Sequence, residues 1–181
     1  MESLVANMDD FWVFGYGSLM WRPGFDYIEK QRAKLFGYRR TLCIHSHIHR
    51  GTPEKPGLVL GLDRGGSCSG VAFKVSGTKR DEVFEYLHAR ELVTNVYLER
   101  IGKLQLADQS RVSAYCYVAD LKHKQYAKNI SVDKAVEIVS DSVGQSGHNI
   151  EYVTSTVEQL RSMNLRDHWL EDVVSKLPSK A

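Results

Sequence analysis

Apolar and polar positions alternate through much of the first two thirds of the chain with the period of two that β-strands require. A Gly65-Gly66 pair separates two of these runs and favours a turn, so the runs before and after it are predicted to form a hairpin. A nine-residue segment rich in proline and glycine, HRGTPEKPG at 49–57, predicts an irregular loop. The predicted strands span residues 11–16, 31–47, 58–62, 70–75, 96–107 and 111–119.

Helical spacing takes over in one central segment and in the last third of the chain. A capping-box pattern begins at Thr78 and opens a predicted helix that runs to about Glu91. Three more helices are predicted: one from Ser131, one capped by Asn149 and one capped by Asp167. The order of elements lacks regular βαβ alternation and so indicates an α+β fold, with a mixed or antiparallel sheet that can close on itself.

Length, charge and hydropathy narrow the class of protein. A chain of 181 residues fits one globular domain, which we place at residues 1–181. A net charge of +2, from 24 basic and 22 acidic residues, is too balanced for a nucleic-acid partner. No apolar run approaches the roughly 20 residues of a membrane span, and residues 1–10 lack the features of a signal peptide. We therefore expect a cytoplasmic protein with neither nucleic acid nor membrane as partner.

Cysteine usage agrees with that compartment. Cys43, Cys68 and Cys116 are odd in number and widely spaced, which is typical of a reducing environment. We predict three free thiols.

One carboxylate falls on the apolar stripe of the central helix. At 100° per residue, Val83, Leu87 and Glu91 lie in one narrow arc that should face the core. Either the helix ends before Glu91 or a cation such as Arg90 pairs with it, or Glu91 is a buried acid. In the last case, desolvation and the helix C-terminus would both raise its pKa toward the range of a general base.

The sequence FGYGSL at 14–19 places two glycines where the first strand ends. Gly15 and Gly17 indicate a tight bend or a close approach of bare backbone to a ligand. Ser18 invites comparison with a nucleophile elbow, but Met20 stands where that motif needs glycine. The alternatives are a plain turn, or a turn whose backbone N–H groups form an anion or oxyanion site.

Two other groups of residues carry open alternatives. His45, His47 and His49 share a parity, so an extended strand would present them together to a metal ion, whereas a frayed strand end would leave them solvated. Tyr152 falls in the first turn of a predicted helix, where its phenol either reaches a ligand or packs.

Four separated blocks resemble one known family. The blocks VFGYGSLMW, HRGTPEKPGLVLGL, YLHARE and GQSGHNIEY are similar, in this order and over most of the chain, to the ChaC-type γ-glutamylcyclotransferases. The resemblance implies a β-barrel-like sheet with flanking helices and C-terminal helices. It also implies cleavage of glutathione to 5-oxoproline and cysteinylglycine, without a cofactor or metal.

The resemblance also implies roles for individual residues. Glu91, at the end of YLHARE, corresponds to the catalytic glutamate, and Tyr152 to a substrate contact. The chain departs from the family pattern after Glu91, so no pocket role is carried over to Tyr97. The implied substrate-binding loop consists of Val13, Phe14, Gly15, Tyr16, Gly17, Ser18 and Leu19.

Two other functions remain open from the sequence. The chain could act on other γ-glutamyl amino acids or γ-glutamylamines, or it could be a non-catalytic ligand-binding module on the same scaffold. The oligomeric state is also open, with a monomer preferred.

Overall fold

The computed structural model of the protein describes residues 9–92 and 94–179. The chain forms two compact units, Met1–Arg39 with Arg64–Val118 and Arg40–Asp63 with Ala119–Ala181. Our assignment of one domain to residues 1–181 stays a prediction. The expectation about a signal peptide concerns residues 1–10, of which the first eight lie outside the described residues.

Five strands form a closed barrel in the order β1-β3-β2-β4-β5. The sheet is mixed: β1 runs antiparallel to β3 and parallel to β5, and β2 runs antiparallel to β4. This architecture confirms the predicted α+β fold with a mixed, closed sheet. The strands are β1 Phe11–Gly15, β2 Glu29–Ser46, β3 Gly57–Val75, β4 Tyr97–Leu106 and β5 Arg111–Ala119.

The predicted hairpin between residues 58 and 75 is wrong, because this segment is the single strand β3. Gly65 and Gly66 do adopt positive φ, at 102° and 66°. They bend the strand locally without reversing it, and β3 goes on to pair with β1 from Val71 to Val75.

The first unit contains two 3₁₀ helices, Ser18–Met20 after β1 and Gly77–Lys79, and the helix α1, Arg80–Glu91. The predicted helix is therefore confirmed, but its cap is not Thr78. Ser76 caps the preceding 3₁₀ turn, where its hydroxyl accepts a hydrogen bond from the Thr78 amide at 3.4 Å. The core cluster under α1 consists of Phe11, Val13, Leu19, Val75, Val83, Leu87 and Tyr117.

The second unit holds the three C-terminal helices, which pack against one another. Ser131 and Asp167 cap two of them through their side chains, by accepting hydrogen bonds from the amides of Lys134 and Leu170, both at 3.1 Å. The elements are α2 Val132–Asp141, β6 Val143–Gly144, β7 Gly147–His148, α3 Asn149–Ser162 and α4 His168–Lys176.

Asn149 is not the helix cap that the sequence predicts. It is the first residue of α3, and its fully buried side chain pairs instead with the backbone of Leu58. Its Oδ1 accepts from the Leu58 amide at 2.7 Å, and its Nδ2 donates to the Leu58 carbonyl at 2.8 Å. The amide thus satisfies two buried backbone groups of β3 at once, which a capping role would leave unpaired.

All three cysteines are buried free thiols, as predicted. Within the described residues, no helix is both long enough and apolar enough to cross a membrane.

Replacing Asn149 by alanine should destabilise the protein strongly. Both hydrogen bonds to Leu58 are lost and two buried backbone groups remain unpaired, at about 1–3 kcal/mol for each. Urea denaturation measures the loss. Ser131→Ala, which removes a solvent-exposed cap, is the matched comparison and should cost about 1 kcal/mol. Equal losses for the two variants would contradict this account of Asn149.

Candidate active site

The glycine turn that follows β1 packs tightly, backbone against backbone. A Cβ atom on Gly15 would lie 3.1 Å from Leu19 Cβ and 3.2 Å from the Met20 nitrogen. On the neighbouring strand β3, a Cβ atom on Gly70 would lie 2.3 Å from the Gly15 carbonyl oxygen. Gly70 therefore requires glycine, because a side chain there would clash with the backbone of β1, whereas Gly15 sits in a tight position that favours glycine.

The 3₁₀ turn directs its first amides away from its own carbonyl groups. The Met20 amide donates to the Gly17 carbonyl at 2.9 Å, and the Arg22 amide donates to the Ser18 carbonyl at 2.8 Å. The amides of Ser18 and Leu19 precede the first of these bonds, so the turn itself offers them no acceptor. Such amides are suited to binding an anionic or developing negative oxygen.

Most of the predicted substrate-binding loop is buried. Only Ser18 is exposed, whereas the six other members belong to the interior of the first unit. A ligand at this turn would therefore meet the backbone and the Ser18 hydroxyl. The buried members are Val13, Phe14, Gly15, Tyr16, Gly17 and Leu19.

Among the described residues, the hydrogen-bond partner of the Ser18 hydroxyl is a guanidinium group and not a base. Its Oγ accepts a hydrogen bond from Arg90 Nη2 at 2.7 Å. A guanidinium group only donates and stays protonated, so it does not activate a serine nucleophile. The contact instead leaves the hydroxyl hydrogen of Ser18 available for donation.

Glu91 is the last residue of α1 and lies on the same face of the helix as the buried residues Val83 and Leu87. The helix does not end early, since the Leu92 amide still donates to the His88 carbonyl at 3.0 Å. The Glu91 side chain is only 16% exposed, and its Oε1 lies 3.4 Å from Arg90 Nε. Of the alternatives that the sequence leaves open, early termination is wrong, and both burial and pairing with Arg90 occur.

Burial dominates the electrostatics of this carboxyl group. Desolvation raises the pKa of Glu91 above its ordinary value, and the charge of Arg90 opposes this shift with a smaller effect. A carboxyl group whose pKa is raised takes up a proton more readily than an exposed glutamate, as a group that both accepts and returns a proton must.

A second acidic group connects to this region through a buried phenol. Tyr117 on β5 is 1% exposed, and its hydroxyl donates to Glu99 Oε2 at 2.9 Å. The same oxygen lies 2.6 Å from His88 Nε2. Burial, the charge and hydrogen bond of Glu99 and the charge of Glu91 all raise the pKa of Tyr117, so the phenol stays protonated. The alternation of β5 indicates only that Tyr117 faces the core, and its polar partners have no sequence signal.

Tyr152 lies in the second unit, in the first turn of α3. Its hydroxyl accepts a hydrogen bond from the Leu60 amide at 3.0 Å, and the Arg50 guanidinium lies 5.5 Å from its ring centroid. The phenol therefore has a structural contact with the backbone of β3. Tyr97, in the first unit, packs partly buried against the core cluster that contains Leu87.

The three histidines at the end of β2 have different surroundings. Burial, and then the neighbouring His47, lower the pKa of His45. His49 is exposed, with Nδ1 3.0 Å from Ser146 Oγ. No group of three or more His, Cys, Asp or Glu side chains within residues 9–92 and 94–179 is arranged to hold a metal ion, so the metal interpretation gains no support.

Solved structures with the same fold include a crystal structure of a γ-glutamyl cyclotransferase specific to glutathione from yeast. It superposes with a TM-score of 0.81 over 92% of this chain and 94% of the yeast chain, at 22% sequence identity. This likeness establishes the fold of a γ-glutamyl cyclotransferase.

Sequence comparison then gives the family. Residues 11–180 match the family model of the ChaC-like proteins. A glutathione-specific γ-glutamylcyclotransferase of Escherichia coli K12 is 31% identical, over 90% of this chain and 71% of its own. Glutathione-specific γ-glutamylcyclotransferase 1 of Danio rerio is 35% identical, over 88% and 84%. The chain therefore belongs to the ChaC-like family.

Replacing Glu91 by glutamine should stabilise the protein increasingly as the pH rises. A carboxyl group whose pKa is raised by folding favours the folded state fully below its unfolded pKa, and this contribution is lost as the pH rises through the folded pKa. Glutamine does not titrate. The difference in Tm, variant minus wild type, should therefore increase as the pH rises from the ordinary titration range of a glutamate, about pH 4, through the higher folded pKa of Glu91.

The control is Glu85→Gln, the same substitution at an exposed position of α1. It should give a nearly constant difference in Tm across the same range. A difference for Glu91→Gln that is flat, or that falls with pH, would contradict a raised pKa.

Proposed function

We propose that this protein is a glutathione-specific γ-glutamylcyclotransferase, which cleaves the γ-glutamyl amide of glutathione to 5-oxoproline and cysteinylglycine. The observation that carries the proposal is the Glu91 carboxyl group, buried at the end of α1 in the same compact unit as the glycine turn. The names of the relatives from Escherichia coli and Danio rerio support the substrate.

The chemistry needs one group that moves a proton between two nitrogen atoms. The neutral α-amine of the substrate attacks its own γ-carbonyl carbon and forms the ring C–N bond. Glu91, as carboxylate, accepts the proton that the attacking nitrogen loses, and then gives it to the departing nitrogen as the amide C–N bond breaks. The carboxylate is regenerated, and no oxidation or reduction takes place.

The site mainly has to bind glutathione in the conformation that brings its α-amine next to its own γ-carbonyl carbon. Nucleophile and electrophile belong to one molecule, and well-oriented intramolecular attack reaches effective molarities of about 10⁵–10⁸ M. We assign this role to the backbone of the glycine turn. The amides of Tyr16, Gly17 and Ser18 stabilise the negative charge that develops on the γ-carbonyl oxygen.

The buried residues of the proposed substrate-binding loop shape the glycine turn and do not contact the substrate through their side chains. Val13, Phe14 and Leu19 are buried, so they fix the turn while their side chains stay in the core. Gly15 permits the close packing of the turn on its own backbone. We also assign Tyr152 to substrate binding, on the family resemblance.

Glu91→Gln should keep the fold and abolish release of 5-oxoproline from glutathione. Glutamine preserves size and hydrogen bonding but does not carry the proton, and general acid–base catalysis typically contributes about 10²–10⁴-fold. A chromatographic assay of 5-oxoproline measures the loss. Turnover at a tenth of the wild-type value or more would remove Glu91 from this role.

Two controls separate the alternatives in the same assay. A γ-glutamyl amino acid offered in place of glutathione should be turned over far more slowly, and equal turnover would favour the broader cyclotransferase. Chelators should leave activity intact, whereas metal-dependent activity would revive the three-histidine site. A binding module without catalysis would release no product from any substrate, and the burial of Glu91 favours the enzyme over that module.

Tyr152→Phe should raise KM for glutathione with a smaller effect on kcat. The substitution removes the phenolic donor and the acceptor of the Leu60 amide, so a modest loss of stability, on the order of 1 kcal/mol, should accompany it. Steady-state kinetics and thermal denaturation report the two effects separately. A loss of stability at unchanged KM would assign Tyr152 to structure alone.

We further propose that the enzyme works in the cytoplasm as a monomer. Three buried free thiols fit a reducing compartment. Light scattering of the purified protein measures the oligomeric state directly.

A further inference from the structure

The Arg90 side chain on α1 contacts several separate parts of the first unit. Its Nη1 donates to the Arg22 carbonyl at 2.6 Å and to the Tyr86 hydroxyl at 2.8 Å, with the Pro23 carbonyl at 3.4 Å. Its Nη2 donates to Ser18 Oγ at 2.7 Å. Its Nε faces Glu91 Oε1 at 3.4 Å. One half-buried guanidinium group thus touches the proposed base and three other parts of the same unit.

These contacts hold the glycine turn at both of its ends. Ser18 is the first residue of the 3₁₀ helix, and Arg22 follows that helix by two positions. The chain beyond Arg22 is fixed as well, because Gly24, at φ 75°, packs so closely on Tyr86 that a Cβ atom would lie 2.0 Å from the Tyr86 hydroxyl. The planar fork of arginine is suited to several acceptors at fixed angles, and a lysine ammonium is not.

We infer that Arg90 is a positioning residue, whose guanidinium group holds the glycine turn and the Glu91 carboxyl group in a fixed arrangement for the cyclisation reaction. This inference rests on the proposed function. Arg90 itself contacts neither nitrogen that exchanges the proton in that scheme. Its effect passes through Ser18 on one side and Glu91 on the other.

The charge of Arg90 has a separate consequence for Glu91. It lowers the pKa of Glu91 against the larger effect of burial, so it keeps a greater share of the carboxyl group ionised at neutral pH. Other ionisable groups in the described part of this unit include Tyr86, whose hydroxyl accepts from Arg90. His88 on α1, Glu99 on β4 and Tyr117 on β5 also lie in this part and are linked by hydrogen bonds through Glu99. Arg90 is the cation paired with Glu91, so its removal is the direct way to shift the titration of this base.

Two variants of Arg90 separate position from charge. Arg90→Lys keeps the positive charge but loses the planar set of donors, so KM for glutathione should rise by about 5- to 50-fold. The acidic limb of the pH profile, where kcat/KM falls as Glu91 becomes protonated, should stay at the same pH. Arg90→Gln loses both the charge and this set of donors, so KM should rise and the acidic limb should move to higher pH. Ser18→Ala removes one acceptor of the fork and should raise KM without moving the limb.

Arg80→Gln is the matched control at the other end of the same helix. Arg80 lies over the ring of Phe11, at 4.6 Å, and its Nη2 donates to the Asp9 carbonyl at 3.4 Å. Its loss should lower Tm without changing KM or the pH profile. A merely structural Arg90 would behave in the same way.

The possible outcomes distinguish this inference from the proposed function. If wild-type protein releases no 5-oxoproline from glutathione, the proposed function fails. If Glu91→Gln is inactive while both Arg90 variants keep the wild-type KM and acidic limb, only the role of Arg90 is overturned. If Arg90→Gln does not fold, Arg90→Lys and Ser18→Ala still decide the question. An unchanged KM in both variants would contradict the role of the Arg90 guanidinium group in positioning the glycine turn.

Discussion

The burial of one carboxyl group at the end of α1 is the constraint on which the site depends. Glu91 continues the stripe of Val83 and Leu87, so packing the helix onto the core cluster necessarily carries its carboxyl group out of water. Desolvation then raises its pKa, and the positive charge of Arg90 offsets only part of that effect. Partial burial of this group costs stability when it is ionised, and it leaves a carboxyl group that takes up a proton more readily than an exposed glutamate does.

The glycine turn complements that base through its backbone. Gly70 allows β3 to approach the backbone of β1 at Gly15, and Gly15 allows the turn to fold back closely on its own strand. The first amides of the 3₁₀ turn have no acceptor within that turn. Ser18 contributes a hydroxyl oriented by Arg90, and a guanidinium group does not activate a serine as a nucleophile. A cyclisation within one substrate molecule needs a group that transfers a proton, hydrogen-bond donors for the developing oxyanion, and a rigid turn that keeps those donors in place.

Hydrophobic periodicity, helix caps and turn residues predict most of the fold. The predictions from these sequence patterns fail where a contact between residues distant in sequence decides the structure. The cap at Asp167 is read directly from sequence, whereas Asn149, a residue type typical of caps, pairs with Leu58, 91 positions away. Gly65 shows that positive φ alone does not separate a bend within a strand from a hairpin turn. Glu91 is predictable from helical spacing, but Arg90 is not, since its partner Ser18 lies 72 positions away.

The most direct test of this account is the ionisation of Glu91 itself in the folded enzyme. Carbon-13 NMR of the side-chain carboxyl groups, assigned by comparison with Glu91→Gln, follows this residue through a pH titration. The account predicts that Glu91 titrates above the ordinary range of a glutamate, at the same pH as the acidic limb of kcat/KM. A Glu91 that titrates like an exposed glutamate, well below that limb, would contradict the central claim.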